Sequence, residues 1–164
     1  MYSMPCNSFW HGVVSANLGA ELVMRLRESR CITTICNIRV LIAADRFYTY
    51  PDVMTVSGSA VADNQNDTIL NPALIAEVFS PSTEMQDRGF KFARYRLIPS
   101  LQEYVLVSQT EPRVEVFRRH STDTWIMSEF TGLEETCRLR SMNCEIPLAE
   151  IYHKVEFQEQ PNHR

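Results

Sequence analysis

The chain has 164 residues, 45% of them hydrophobic and 22% charged, with a formal net charge of −4. That length supports one domain with a core that needs no covalent staples, and the composition is that of an ordinary globular protein. The acidic balance excludes a globally basic surface, so any contact with nucleic acid has to come from a local patch.

Five cysteines (Cys6, Cys31, Cys36, Cys137 and Cys144) form no CxxC and have no paired His spacing. A disulfide framework or a zinc site would look different, and free thiols in a reducing cytoplasm fit better. The opening MYSMPCNSFW lacks the basic-then-apolar order of a signal peptide. No apolar run approaches the roughly 20 residues of a membrane span. The expected location is cytoplasmic.

From an N-cap at Ser8 or Asn7, the spacing of Val14, Leu18, Leu22, Val23 and Leu26 predicts a helix to about Arg30. Cys31 to Ala43, rich in Ile, Thr and Val, reads as a strand. Asp45 and Arg46 turn the chain, and Phe47 to Val56 reads as the antiparallel partner. The Gly-, Asn- and Asp-rich stretch from Ser57 to Asn71 reads as a loop. Ala73 to Phe79 is nearly all apolar, the pattern of a strand buried on both faces, interrupted by one charge, Glu77.

A Thr83…Gln86 capping box then opens a second helix, which closes near Ile98 before Pro99. Glu103 to Ser108 is another buried-type strand. Arg113 to Arg119 and Thr124 to Phe130 alternate as antiparallel strands with one wet face. Ile146 to Phe157 reads as a short helix, and 158–164 as a flexible tail on a single domain of residues 1–157. The crossover through Thr83–Ile98 is long enough to make the strands on either side of it parallel neighbours. The class is a mixed-sheet α/β sandwich: helix, three-strand meander, helix, parallel strand, then antiparallel strands.

The chemistry centres on Glu77. A carboxylate inside a buried apolar run costs several kcal/mol unless it is paired, protonated or metal-bound. Asp52, in YPDVMTV, lies on the preceding strand, with Pro51 at its start. Two carboxylates at strand ends on one side of a sheet can hold a hard cation; Mg²⁺ suits, because phosphate and water complete its octahedron. The structural alternatives are a salt bridge from Glu77 to an Arg or Lys of a flanking helix, and a turn or capping role for Asp52. Asp87, Lys91 and Tyr95 are spaced by four and share a helix face. At the surface, Asp87 and Lys91 would be an ordinary ion pair; over the Glu77 strand, Lys91 would bring a positive charge to the carboxylates.

YPDVMTV, NPALIAEVFSPST, DRGFKFARYR and IPSLQEYVLVS together resemble the Uma-two family of restriction-endonuclease-like proteins, within the PD-(D/E)XK nuclease superfamily. The match runs from about Phe9 to Arg119 and is strongest from Pro51 to Ser108. The resemblance implies a Mg²⁺- or Mn²⁺-dependent endonuclease hydrolysing DNA, with an inactive nucleic-acid- or protein-binding relative as the alternative. It implies Asp52 and Glu77 as metal ligands, the backbone carbonyl of Val78 as a further ligand, and Asp87 and Tyr95 as supporting groups. The superfamily's usual lysine would stand at Phe79; the resemblance points instead to a migrated lysine, Lys91, as the third catalytic residue.

Relatives also often carry a His near His11, although a helix-start His is commonly a cap or a surface residue. His120, His153 and His163 show no ligand spacing, and Ser80, Ser82 and Thr83 read as helix caps. The Arg113, Arg118 and Arg119 cluster alternates around a strand and could touch phosphate, but reads rather as a solvated face. Relatives typically have a "DGE"-like hairpin before the segment matching Phe9, and an aspartate where this chain has Asn37. A missing hairpin would uncover apolar surface and favour a homodimer.

Overall fold

The computed structural model describes residues 8–35, 38–63 and 67–157. The expectations for Asn7, Asn37, Cys6, Cys36, His163 and the tail 158–164 lie outside the described residues. The elements run α1 (Phe9–Arg25), β1 (Cys31–Ile35), β2 (Arg39–Ile42), β3 (Phe47–Thr49), β4 (Val53–Ser57), β5 (Thr68–Ile69) and β6 (Leu74–Phe79). A π-helical stretch, Gln86–Lys91, continues into α2 (Phe92–Tyr95). Then come β7 (Glu103–Ser108), β8 (Arg113–Arg119), β9 (Trp125–Thr131), β10 (Thr136–Leu139), a 3₁₀ turn (Arg140–Met142), β11 (Cys144–Pro147) and α3 (Leu148–Ile151).

The main sheet has the order β1-β4-β6-β7-β8-β9. β1, β4 and β6 form the expected antiparallel meander. β6 and β7 are parallel, in register from Leu74↔Glu103 to Phe79↔Ser108, as the crossover length requires. Along β6, Leu74, Ala76 and Val78 face a core built with α1, α3 and β11. Ile75 and Phe79 face a second core with Val40, Ile42, Tyr95 and Tyr104. The chain is thus a layered mixed α/β fold.

The first hairpin departs from expectation in an informative way. Neither Cys31–Ala43 nor Phe47–Val56 is one continuous strand. Their outer halves, β1 and β4, pair in the main sheet, whereas β2 lies between β3 and β5 in a separate three-stranded sheet. Pro51 lies at the break between β3 and β4, and without an N–H it cannot continue a ladder. The segment read as loop therefore contains β5, which lies parallel to β2.

Other boundaries moved for local reasons. Ser8 caps α1 by accepting the His11 N–H. The helix ends at Arg25 rather than Arg30, and the Ser29 hydroxyl then donates to the Leu26 carbonyl and accepts the Cys31 N–H, a local competitor of helical bonding. Thr83 does not close the expected capping box; its hydroxyl oxygen accepts the Ser80 N–H instead. Ile146–Phe157 is not one helix. Pro147 ends β11, which pairs with β10, and only Leu148–Ile151 is α-helical.

The C-terminal segment is tied down by Tyr152, which accepts the Arg113 N–H at 3.1 Å and lies 2.8 Å from the Ser108 carbonyl oxygen, to which it donates. Tyr152→Phe should cost about 1–2 kcal/mol by leaving these buried backbone groups short of a partner. Denaturant unfolding at constant slope would measure it, and an unchanged midpoint would refute the assignment.

Candidate active site

The site begins where the β3–β4 strand breaks. The β4–β6 ladder ends at Val53↔Ala76, and two residues further on its register sets Pro51 opposite Val78. Asp52 takes over there: its Oδ2 accepts the Val78 N–H at 2.8 Å and lies 3.0 Å from His11 Nε2 of α1. The carboxylate therefore continues the sheet's hydrogen bonding by other means while joining β4, β6 and α1. His11 is buried. It is neither a surface residue nor a simple cap, and its link to Asp52 is a long-range contact that helix periodicity does not signal.

Glu77 lies next to that junction on β6, 2% exposed, with its side chain turned toward the second core. Its Oε1 accepts the Tyr95 hydroxyl at 2.6 Å, and the Thr49 and Tyr95 hydroxyl oxygens are 2.9 Å apart. Lys91 Nζ stands 3.4 Å from the same Glu77 oxygen and 2.6 Å from Asp87 Oδ1. Burial pushes the Glu77 carboxyl up to about 8, against the pull of Lys91 and with the help of the Asp52 and Asp87 charges. Burial works against the Lys91 ammonium too, but Glu77 and Asp87 outweigh it and hold its pKa above the ordinary lysine range.

Asp87 and Lys91 are therefore not an exposed surface pair, because Asp87 is 2% exposed. Its backbone carbonyl also accepts the Tyr104 hydroxyl at 2.8 Å, which fixes the helix over the sheet. The stretch carrying both residues is π-helical rather than the uniform α-helix expected, a geometry that recurs where helices serve a site. Phe79, where the superfamily lysine would stand, is buried with the Arg113 guanidinium 5.5 Å from its ring centre. Lys91 occupies the space beside Glu77 from the helix side.

Asp52, Glu77 and Lys91 thus converge on one end of β6, and Val78 contributes its N–H to Asp52. Other candidates stay apart. His120 and His153 are exposed. Ser80, Ser82 and Thr83 bond among themselves at the turn before the helix. The arginine cluster is not simply a solvated face, since Arg119 donates to the backbone carbonyls of Leu101, Arg96 and Ile98 and braces the chain after α2. Arg113 pairs with Glu84 and Glu111.

Among the described residues, no group of three or more His, Cys, Asp or Glu side chains comes together as a potential metal site. The donor chemistry nevertheless fits a hard divalent cation carried by few protein ligands: the groups are carboxylate oxygens, and Asp52 and Asp87 both raise the cost of ionising Glu77. A cation placed between carboxylates relieves that repulsion.

Comparison with known proteins adds the context. The crystal structure of a "putative nuclease belonging to DUF820" from Anabaena variabilis superposes with a TM-score of 0.73 at 13% identity, covering 92% of this chain and 84% of that one, a likeness of fold. An uncharacterized protein of Synechocystis sp. PCC 6803 (sll1609) is 35% identical over 123 residues, 74% of this chain and 70% of that protein. A second from the same organism (slr1290) is 29% identical over 157 residues, 96% of this chain and 82% of that one. The Uma2 family, described as "Putative restriction endonuclease", matches residues 1–149, and the chain belongs to that family.

Proposed function

We propose that this protein is a divalent-metal-dependent endonuclease that hydrolyses DNA phosphodiester bonds. The observation that carries the reading is Glu77: an otherwise costly buried carboxylate, set beside Asp52 and faced by Lys91 Nζ at 3.4 Å. Asp52, Glu77 and the Val78 backbone carbonyl would hold Mg²⁺ or Mn²⁺. Such an ion supplies a Lewis acid for the phosphate and lowers the pKa of a bound water.

The remaining work falls to side chains already in place. Tyr95 fixes the Glu77 carboxylate by donating its hydroxyl proton. His11 and the Val78 N–H fix Asp52. Lys91 brings a cation to offset negative charge growing on the phosphate, and Asp87 keeps that ammonium charged and aimed. The test is supercoiled plasmid incubated with Mg²⁺, Mn²⁺ or chelator. Nicking that needs the metal supports the reading; no nicking under any of these conditions overturns it.

A second reading follows from the absence of a third acidic or imidazole ligand among the described residues. Here Lys91, Glu77 and Asp87 form a structural ion cluster, and the protein binds nucleic acid or another protein without cutting. DNA binding without cleavage at any metal concentration would select it.

We also propose a cytoplasmic location and a homodimer. No helix among the described residues is long and apolar enough to cross a membrane. β1 is an edge strand, and Ile32 and Ile35 on it, with Val23 and Met24 of α1, are exposed apolar side chains. Sedimentation velocity should give a dimer that weakens with Ile32→Lys; a monomer at high concentration would refute it.

A further inference from the structure

On the sheet face opposite Glu77, β8, β9 and the β10 strand line a pocket of about 310 Å³. Its apolar floor includes Val116 and Phe130, which belong to the α1-side core, whereas Glu77 faces the other core. Three guanidinium groups, from Arg118, Arg138 and Arg140, stand around it against a single lining carboxylate, Glu103. The pocket is therefore locally cationic in a chain of net charge −4.

These cations are not neutralised by tight pairing. Arg138 lies 3.5 Å from Glu145, with both side chains more than half exposed, a geometry worth little in water. Arg140 makes no salt bridge among the described residues, and Arg118, opposite Glu103 on the neighbouring strand, favours the Glu103 charge without a close contact. Glu103 is fully buried, and burial pushes its carboxyl up; the Ser141 hydroxyl, donating to Oε2, and the backbone of Ser141 and Arg140 pull the other way. Its Oε1 has no hydrogen-bond partner.

We propose that this pocket binds a mononucleotide-sized organic anion. A phosphate would sit among the Arg118, Arg138 and Arg140 guanidinium groups, whose planar forks match its oxygens. A flat base would lie over Val116 and Ile126. The volume falls at the small end of ligand pockets. This site is separate from the Asp52–Glu77 cleft and does not depend on its function.

The test is calorimetric titration with dAMP in chelator, beside deoxyadenosine, which lacks the phosphate, and inorganic phosphate, which lacks the base. Binding of dAMP should exceed both controls. Arg138→Ala and Arg140→Ala, both at exposed positions, should each weaken dAMP about tenfold.

Four results would overturn the proposal. They are no dAMP binding at millimolar concentration, binding untouched by both arginine variants, binding no tighter than either control, and binding lost in Asp52→Asn, which would place the nucleotide in the acidic cleft.

Discussion

Glu77→Ala and Asp52→Asn should each abolish metal-dependent plasmid nicking, with rates falling on the order of 10²- to 10³-fold or more, equivalent to roughly 3–4 kcal/mol of barrier. The choice of variants follows from the two roles of Asp52. Alanine there would also strip the partner from the Val78 N–H, and a lost strand end could imitate a lost catalyst. Asparagine keeps an acceptor for Val78 while removing the charge a cation needs. Lys91→Ala should lower the rate about 10-fold to 100-fold yet leave Mn²⁺ affinity nearly intact, because the ammonium is not a ligand. Equal cleavage by wild type and Asp52→Asn would trace the activity to a contaminant. Equal loss of metal affinity in Lys91→Ala and Glu77→Ala would contradict the division of labour between charge and ligand.

The second large effect is on stability, and its sign is opposite to the usual carboxylate case. The folded state holds the Glu77 carboxyl near 8, well above its unfolded value, so between about pH 5 and pH 8 the folded chain binds more proton than the unfolded chain. Stability without metal is therefore fully present below the unfolded pKa and falls as pH rises through that window, by about 3–5 kcal/mol. Lys91 does not reverse this, since its titration lies far above the window. Thermal unfolding in chelator should show the midpoint dropping from pH 5 to pH 8. Mn²⁺ should raise it more at pH 8 than at pH 5, where a proton competes for the same oxygen. Glu77→Gln should flatten the profile; a wild-type profile already as flat as that of Glu77→Gln would exclude Glu77 as the cause.

The parts of the fold that could be read from the residues are those where pattern and burial agree. LIAEVF and EYVLVS can only be strands covered on both faces, and the crossover between them forces the parallel pair that carries the site. Glu77 stood out because a charge in such a run demands an explanation. Other features depend on contacts that no local pattern encodes. The split of the first hairpin between two sheets follows from Val40 and Ile42 finding Met54 and Tyr95 across the fold. The β10–β11 hairpin is masked in the sequence because the helical signal of Leu148 and Ile151, three residues apart, adjoins a strand of only four residues that ends at Pro147. His11 carries no local sign of its role, as its partner lies 41 residues away. The π-helical stretch under Asp87 and Lys91 is only six residues, too short for its wider i→i+5 period to show in the sequence.

The Asp52–Val78 bond bears on how loss of function would look in descendants of this fold. Asp52 repairs a backbone ladder that Pro51 interrupts, so a chain that had stopped cutting would still need an acceptor there. Retention of that aspartate is weak testimony to catalysis. Glu77 is the reverse: its burial is a standing burden on the folded state, and a chain freed from metal chemistry would gain by exchanging it for a glutamine or an apolar residue. Of the two acids, the one that harms its own protein is the better witness to an active enzyme.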